Sequence, residues 1–220
     1  MTEPVPEPVV GESRLPMALA VLALMALAVV SPAGLALLPG WVLAAVEGVL
    51  LVALMIGDPG RIDRDTRWLR LVSFALVAVI LISTLTATVL LLHGLLVGSA
   101  ETQDAVKVLV AGAKVWLGNN VAFALLYWQF DSGGPAARAH GMPRYPDFAF
   151  PQQLSPELAP PGWRPQFIDY LYVGFTNANA FSPTDTMPMA HWAKVAMGCQ
   201  ALISFAIIGL VIARAVNLFT

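Results

Sequence analysis

Charge is what this sequence has least of. Aspartate, glutamate, lysine and arginine make up 12% of its 220 residues, about half the usual share of a soluble domain, and that is too little polar surface to cover a globule in water. Cysteine occurs once, at Cys199, which excludes an internal disulfide and any multi-cysteine metal site. The three histidines, His93, His140 and His191, lie far apart, with no H-x-x-x-H or H-E-x-x-H spacing. No G-x-S-x-G nucleophile motif occurs. A net charge of −2 offers no basic surface to nucleic acid. The expectation is a non-enzyme without catalytic residues, metal, cofactor or nucleic-acid partner.

What is abundant is apolar sequence: 58% of the residues are hydrophobic. Four uncharged runs stand out, 15–38, 71–92, 115–130 and 195–213, and a fifth, 42–57, is apolar except for Glu47. A helix needs ~20 apolar residues to cross the hydrocarbon layer, so the chain reads as an all-α, polytopic protein of the lipid bilayer. Residues 1–14 read as a disordered tail, and 15–130 as a four-helix transmembrane region. Residues 131–165, with eight prolines and four glycines, read as a loop. Residues 166–220 read as a short broken segment and a last transmembrane helix. The weak positive charge before the first apolar run favours an uncleaved helix over a secretory signal.

Arginine sets the orientation. With helices alternating, Arg14, Arg61, Arg64, Arg67, Arg70, Arg138, Arg144 and Arg164 fall on one face. Positive residues in short loops stay cytoplasmic, so the N-terminus is expected inside, in a multi-pass cell (inner) membrane protein. If residues 167–187 also cross, Arg214 joins the same face, which favours six crossings. If that segment only dips in and returns, there are five full spans and the C-terminus is outside.

Two ionisable residues fall within apolar runs. Glu47 lies ~9 Å below Trp41 and Lys114 ~12 Å below Val106, at ~1.5 Å per residue. An ionised side chain at the bilayer centre costs at least ~2.5–3.5 kcal/mol and seeks a partner or a cavity. The matched depths predict an intramembrane ion pair between Glu47 and Lys114, either a structural tie between the second and fourth helices or part of an ion relay.

The stretch from Phe167 to Pro188 reads FIDYLYVGFTNANAFSPTDTMP. Polar residues between two apolar segments suit a cavity or pore lining, or equally a wet turn. Asp169, Leu171, Tyr172, Phe175, Asp185 and Pro188 resemble the pore helix, post-filter acid and proline of tetrameric potassium channels. Residues 180–184, Ala-Phe-Ser-Pro-Thr, stand in place of the glycine-containing filter. The segments Asp58–Arg64, Tyr127–Pro135, Tyr172–Thr176, Ser182–Asp185 and Val216–Asn217 also resemble uncharacterised bacterial multi-pass membrane proteins of actinobacterial type. The channel resemblance implies an oligomeric path for cations or a small solute, lined by Thr176, Asn177, Asn179, Ser182, Thr184 and Asp185. The alternatives are a small transporter using Glu47 and Lys114, and a non-conducting accessory protein.

Overall fold

The computed structural model describes residues 11–31, 33–99, 102–180 and 185–219, and within them the fold is helical. Eight α-helices appear among the described residues: α1 (Leu15–Val29), α2 (Gly40–Gly57), α3 (Arg67–Val97), α4 (Ala105–Phe130), α5 (Pro135–His140), α6 (Pro151–Leu154), α7 (Phe167–Ala180) and α8 (His191–Phe219). Local chemistry sets the helix ends. Gly98 takes the left-handed conformation, φ 78°, that ends α3. The Asp104 carboxylate accepts from the Lys107 amide and starts α4.

Four segments are long and apolar enough to cross a membrane, Gly40–Gly57, Arg67–Val97, Ala105–Gly133 and His191–Leu218, and Leu15–Val29 is a shorter apolar helix. Their outer faces carry Val49, Ile56, Leu71, Ile82, Val89, Leu202 and Phe205, all exposed. An exposed apolar surface of this kind is what a bilayer covers.

Helix α4 is the axis of the bundle, packed against α1, α3, α7 and α8. Small residues allow the close approaches. A Cβ added at Gly112 would lie 2.7 Å from the Val211 side chain of α8, and one at Gly174 would lie 3.1 Å from the Asn120 carbonyl of α4. Side-chain bonds set the pairing of α4 with α8: the Tyr127 hydroxyl donates to Gln200 (2.7 Å) and the Asn119 amide to Ser204 (3.1 Å).

The C-terminal end of α4 is where the irregular segments gather. Strand β1 (Glu12–Ser13) pairs antiparallel with β2 (Arg61–Ile62), and β3 (Phe148–Ala149) with β4 (Met187–Pro188). Residues 11–14, expected as the end of a disordered tail, belong to the fold, and residues 1–10 lie outside the described residues. The proline-rich stretch is likewise packed rather than free. Phe148 and Phe150 are buried against Tyr170, with Trp163 and Trp192 at the edge of the same aromatic group.

Helix α7 starts beside Trp128, whose ring meets that of Phe167 edge-on. Fourteen residues long, it reaches ~21 Å at 1.5 Å per residue, as far as Trp116, which touches Phe175. By Met187 the chain is back against β3, and the Met189 amide donates to the Asp147 carbonyl at 2.8 Å. So α7 begins, and the chain after it re-emerges, at the same end of the bundle.

Candidate functional site

In α2 the buried residues are Ala44, Glu47, Leu51 and Leu54, the spacing of one helical face. Glu47 therefore sits on the inward stripe and is 2% exposed. It borders a cavity of about 80 Å³ between α1, α2, α3 and α4, whose wall also includes Ser31, Ser83, Thr84, Lys114 and Gly118. That is room for a few waters at roughly 10–15 Å³ each. Leu24, Leu27, Ile80 and Val115 supply apolar wall around these groups.

Glu47 and Lys114 share this cavity but do not form the direct ion pair expected from their depths. The Lys114 ammonium donates to the carbonyl of Val30, at the end of α1, at 2.9 Å. Among the described residues, Glu47 Oε2 is buried without a hydrogen-bond partner. The reason is geometric. The last carbonyls of a helix lack intrahelical partners, and the α1 terminus offers the ammonium one within reach. A buried polar atom left unpaired costs about 1–3 kcal/mol. A carboxyl group so placed, beside a largely apolar cavity with a few polar groups on its wall, can take up a proton, a cation or a hydrogen-bonding solute.

The residues expected to line a pore have other partners. The Thr176 hydroxyl donates to the carbonyls of Tyr172 and Val173, and the Asn179 amide to that of Phe175, all within α7. Asn177 is buried and donates to the Met197 carbonyl and to Gln200, tying α7 to α8. Asp185 is exposed. Ser182 and Thr184 lie outside the described residues.

A second polar cluster escapes a reading based on hydropathy. Arg14 and Asp58 form a buried pair at 3.0 Å, and Asp58 also accepts from the amides of Asp63 and Arg64. Burial pulls the Arg14 guanidinium down from its ordinary value, and Asp58 opposes the shift. Asp131 is fully buried and accepts from Tyr170, from Ser132 and from the amides of Asp147 and Phe148. Glu12 accepts from the Trp128 indole and the Phe167 amide and lies 3.5 Å from Arg138. Burial pushes the Glu12 carboxyl above the usual carboxylate range, with Arg138, Trp128 and Phe167 pulling the other way. In sequence, the one signal for this cluster is the density of charge at 58–70, which only marks a polar loop.

Among family models, curated proteins and solved structures, none matches the chain.

Proposed function

We propose that this protein is a multi-pass membrane carrier in which Glu47 binds and releases a proton or small cation during movement of a small solute. The observation that carries this reading is Glu47 itself, a buried carboxyl group with one oxygen unpaired on the wall of a largely apolar cavity among four helices. Ionisable residues at membrane depth mark ion and substrate pathways. Lys114 supplies the opposite charge on the same wall, and Ser31, Ser83 and Thr84 supply hydroxyls.

The topology that goes with this reading has five crossings in place of six, α1 to α4 and α8, with α7 re-entrant. Its support is the return of the chain to β3 after α7. The charge rule then puts the arginine-rich end, including Arg61, Arg64, Arg138 and Arg164, in the cytoplasm. Arg214, bonded to the Thr102 carbonyl, falls on the outer side.

Reconstitution into liposomes tests the function. Wild-type protein should move protons or monovalent cations under an imposed gradient, and Glu47→Gln should lose most of that flux at unchanged protein content. Equal flux through Glu47→Gln, or none through wild-type protein, would falsify the reading.

The same in-and-out course of α7 favours a second reading, an oligomeric cation pore in which a short helix enters the membrane and the chain re-emerges on the same side. Non-helical backbone at membrane depth is tolerated where it lines a cavity. Asp185, exposed near the end where the chain returns, would be its acidic mouth. Cross-linking in membranes separates the two readings, because a monomer that carries flux has no such shared pore.

A further inference from the structure

The arginine-rich end of the bundle holds a second cavity, of about 280 Å³, bordered by Gly11, Glu12, Arg138, Trp163, Arg164 and Gln166 among others. Three kinds of donor converge beside it. Phe167 offers the first amide of α7, Trp128 its indole N–H, and Arg138 its guanidinium. A helix N-terminus together with a guanidinium is how proteins bind carboxylates and phosphates. Here all three address one carboxylate, that of Glu12.

Arg138 is 2% exposed. Its Nη1 donates to the carbonyls of Trp128 and Asp131 (2.8 and 2.7 Å), which fixes the guanidinium in place. Among the described residues Nη2 and Nε are buried and make no hydrogen bond, although Nη2 lies 3.5 Å from Glu12 and the guanidinium lies over the Tyr170 ring. Arg138 in turn is bridged from its own backbone: Arg164 donates to the carbonyls of Arg138 and Ala139, which brings a second positive charge to the wall. A settled buried ion pair would use both guanidinium edges and leave no space beside them. This one leaves donors unused and a cavity open next to them. The carboxylate that occupies it is carried on a two-residue strand whose sheet partner is only Arg61–Ile62. The other ionisable groups facing Glu12 are Arg14, paired with Asp58, Tyr170, whose hydroxyl donates to Asp131, and Asp169, which accepts from the Gln166 amide.

We propose that this is an anion-binding site, that Glu12 is its tethered and displaceable occupant, and that its exchangeable ligand is a carboxylate- or phosphate-bearing anion. When Glu12 withdraws, the ligand takes the Phe167 amide, the Trp128 indole and the two idle nitrogens of Arg138. The free anion and an anionic lipid headgroup share this chemistry and differ only in source.

The test uses full-length protein in detergent and follows the thermal midpoint against sodium phosphate and sodium acetate, with chloride holding ionic strength constant. Glu12→Ala vacates the site. Removing an occupant that fills it nine-tenths of the time tightens apparent binding ~10-fold, so the variant should respond to at least one anion at about a tenth of the concentration that wild type needs. Adding Arg138→Met to Glu12→Ala should abolish the response. If the soluble anions do nothing, but phosphatidylglycerol in nanodiscs stabilises Glu12→Ala and not the double variant, the source is the lipid headgroup and the site stands. If Glu12→Ala responds no more than wild type to phosphate, acetate and phosphatidylglycerol alike, the site is a closed structural pair and the proposal fails. Should the alanine chain not fold, Glu12→Gln keeps the shape without the charge. Its response should lie above that of wild type, and none would also refute the proposal. The titration reads binding at this end alone, so its outcome is independent of whether Glu47 carries anything.

Discussion

Glu12 and Phe167 are 155 residues apart in the chain, and the carboxylate of one accepts the backbone N–H of the other at 2.9 Å. Glu12 thereby caps the start of α7. A carboxylate at a helix N-terminus satisfies one of the orphan amides and complements the helix dipole.

That contact has a pH signature. Burial raises the Glu12 carboxyl above its ordinary 4.5, so folding favours the protonated form. The stabilising contribution is complete below pH 4.5 and is lost as pH rises through the raised value. Melting in detergent from pH 4 to pH 8 should therefore show a decline across that window, and Glu12→Gln should flatten it. An identical profile for the two proteins would mean that Glu12 does not titrate in the folded state.

The Arg14–Asp58 pair should behave as a buried ion pair. Arg14→Met or Asp58→Asn each strands a charge or its hydrogen-bonding partners, at a cost of ~3–5 kcal/mol. The double variant should recover part of the loss, measured by urea or thermal unfolding in detergent. Simple additivity would show that the two residues act through other partners.

Glu47 and Lys114 should couple less strongly than Arg14 and Asp58, because Lys114 bonds the Val30 carbonyl and not Glu47. Lys114→Met should cost no more than one hydrogen bond, ~0.5–1.5 kcal/mol, because the bond to the Val30 carbonyl is exposed, with or without Glu47→Gln. A coupling energy as large as that of the Arg14–Asp58 cycle would point to a direct pair.

Glycine substitutions should divide by surroundings. A Cβ at Gly40 would meet the Ala28 carbonyl oxygen at 2.1 Å, whereas Gly198 and Gly209 on α8 have nothing within 4 Å. Gly40→Ala should destabilise by ~1–3 kcal/mol as the α1–α2 corner is forced apart. Gly198→Ala and Gly209→Ala should be neutral or stabilising by up to ~1 kcal/mol, the helix preference of alanine. Thermal midpoints of the three variants would rank them.

Cysteine labelling in intact cells checks the topology. After Cys199, which is exposed, is replaced, a cysteine at position 144, where the native arginine is exposed, should be shielded from outside and one at 214 should react. Shielding at both would restore six crossings.

Much of the helical frame is legible from hydropathy, because a run of apolar residues declares itself locally. The edges of α2, α3 and α4 fall close to Trp41, Gly57, Trp68 and Phe130, where composition changes. Glu47 could be placed inward from its spacing with Ala44, Leu51 and Leu54. Its separation from Lys114 could not, since that depends on where the end of α1 lies relative to α4. Residues 11–14 look like a tail because their partners are 44 to 155 residues away, beyond the reach of any local pattern. The stretch 131–165 looks like a loop because proline and glycine mask Phe148 and Phe150, both of them buried.

The pairing of Glu12 with the start of α7 also orders the events of biosynthesis. Glu12 leaves the ribosome before its partner Phe167, which follows 155 positions later. At ~5–20 residues per second, the acid waits roughly eight to thirty seconds while α1 to α4 are made. Closure at this end is therefore a late step of assembly. A nascent chain stalled before Phe167 has Glu12 short of one backbone donor and the Trp128 ring without Phe167 against it, and those are features by which an unfinished chain differs from a complete one.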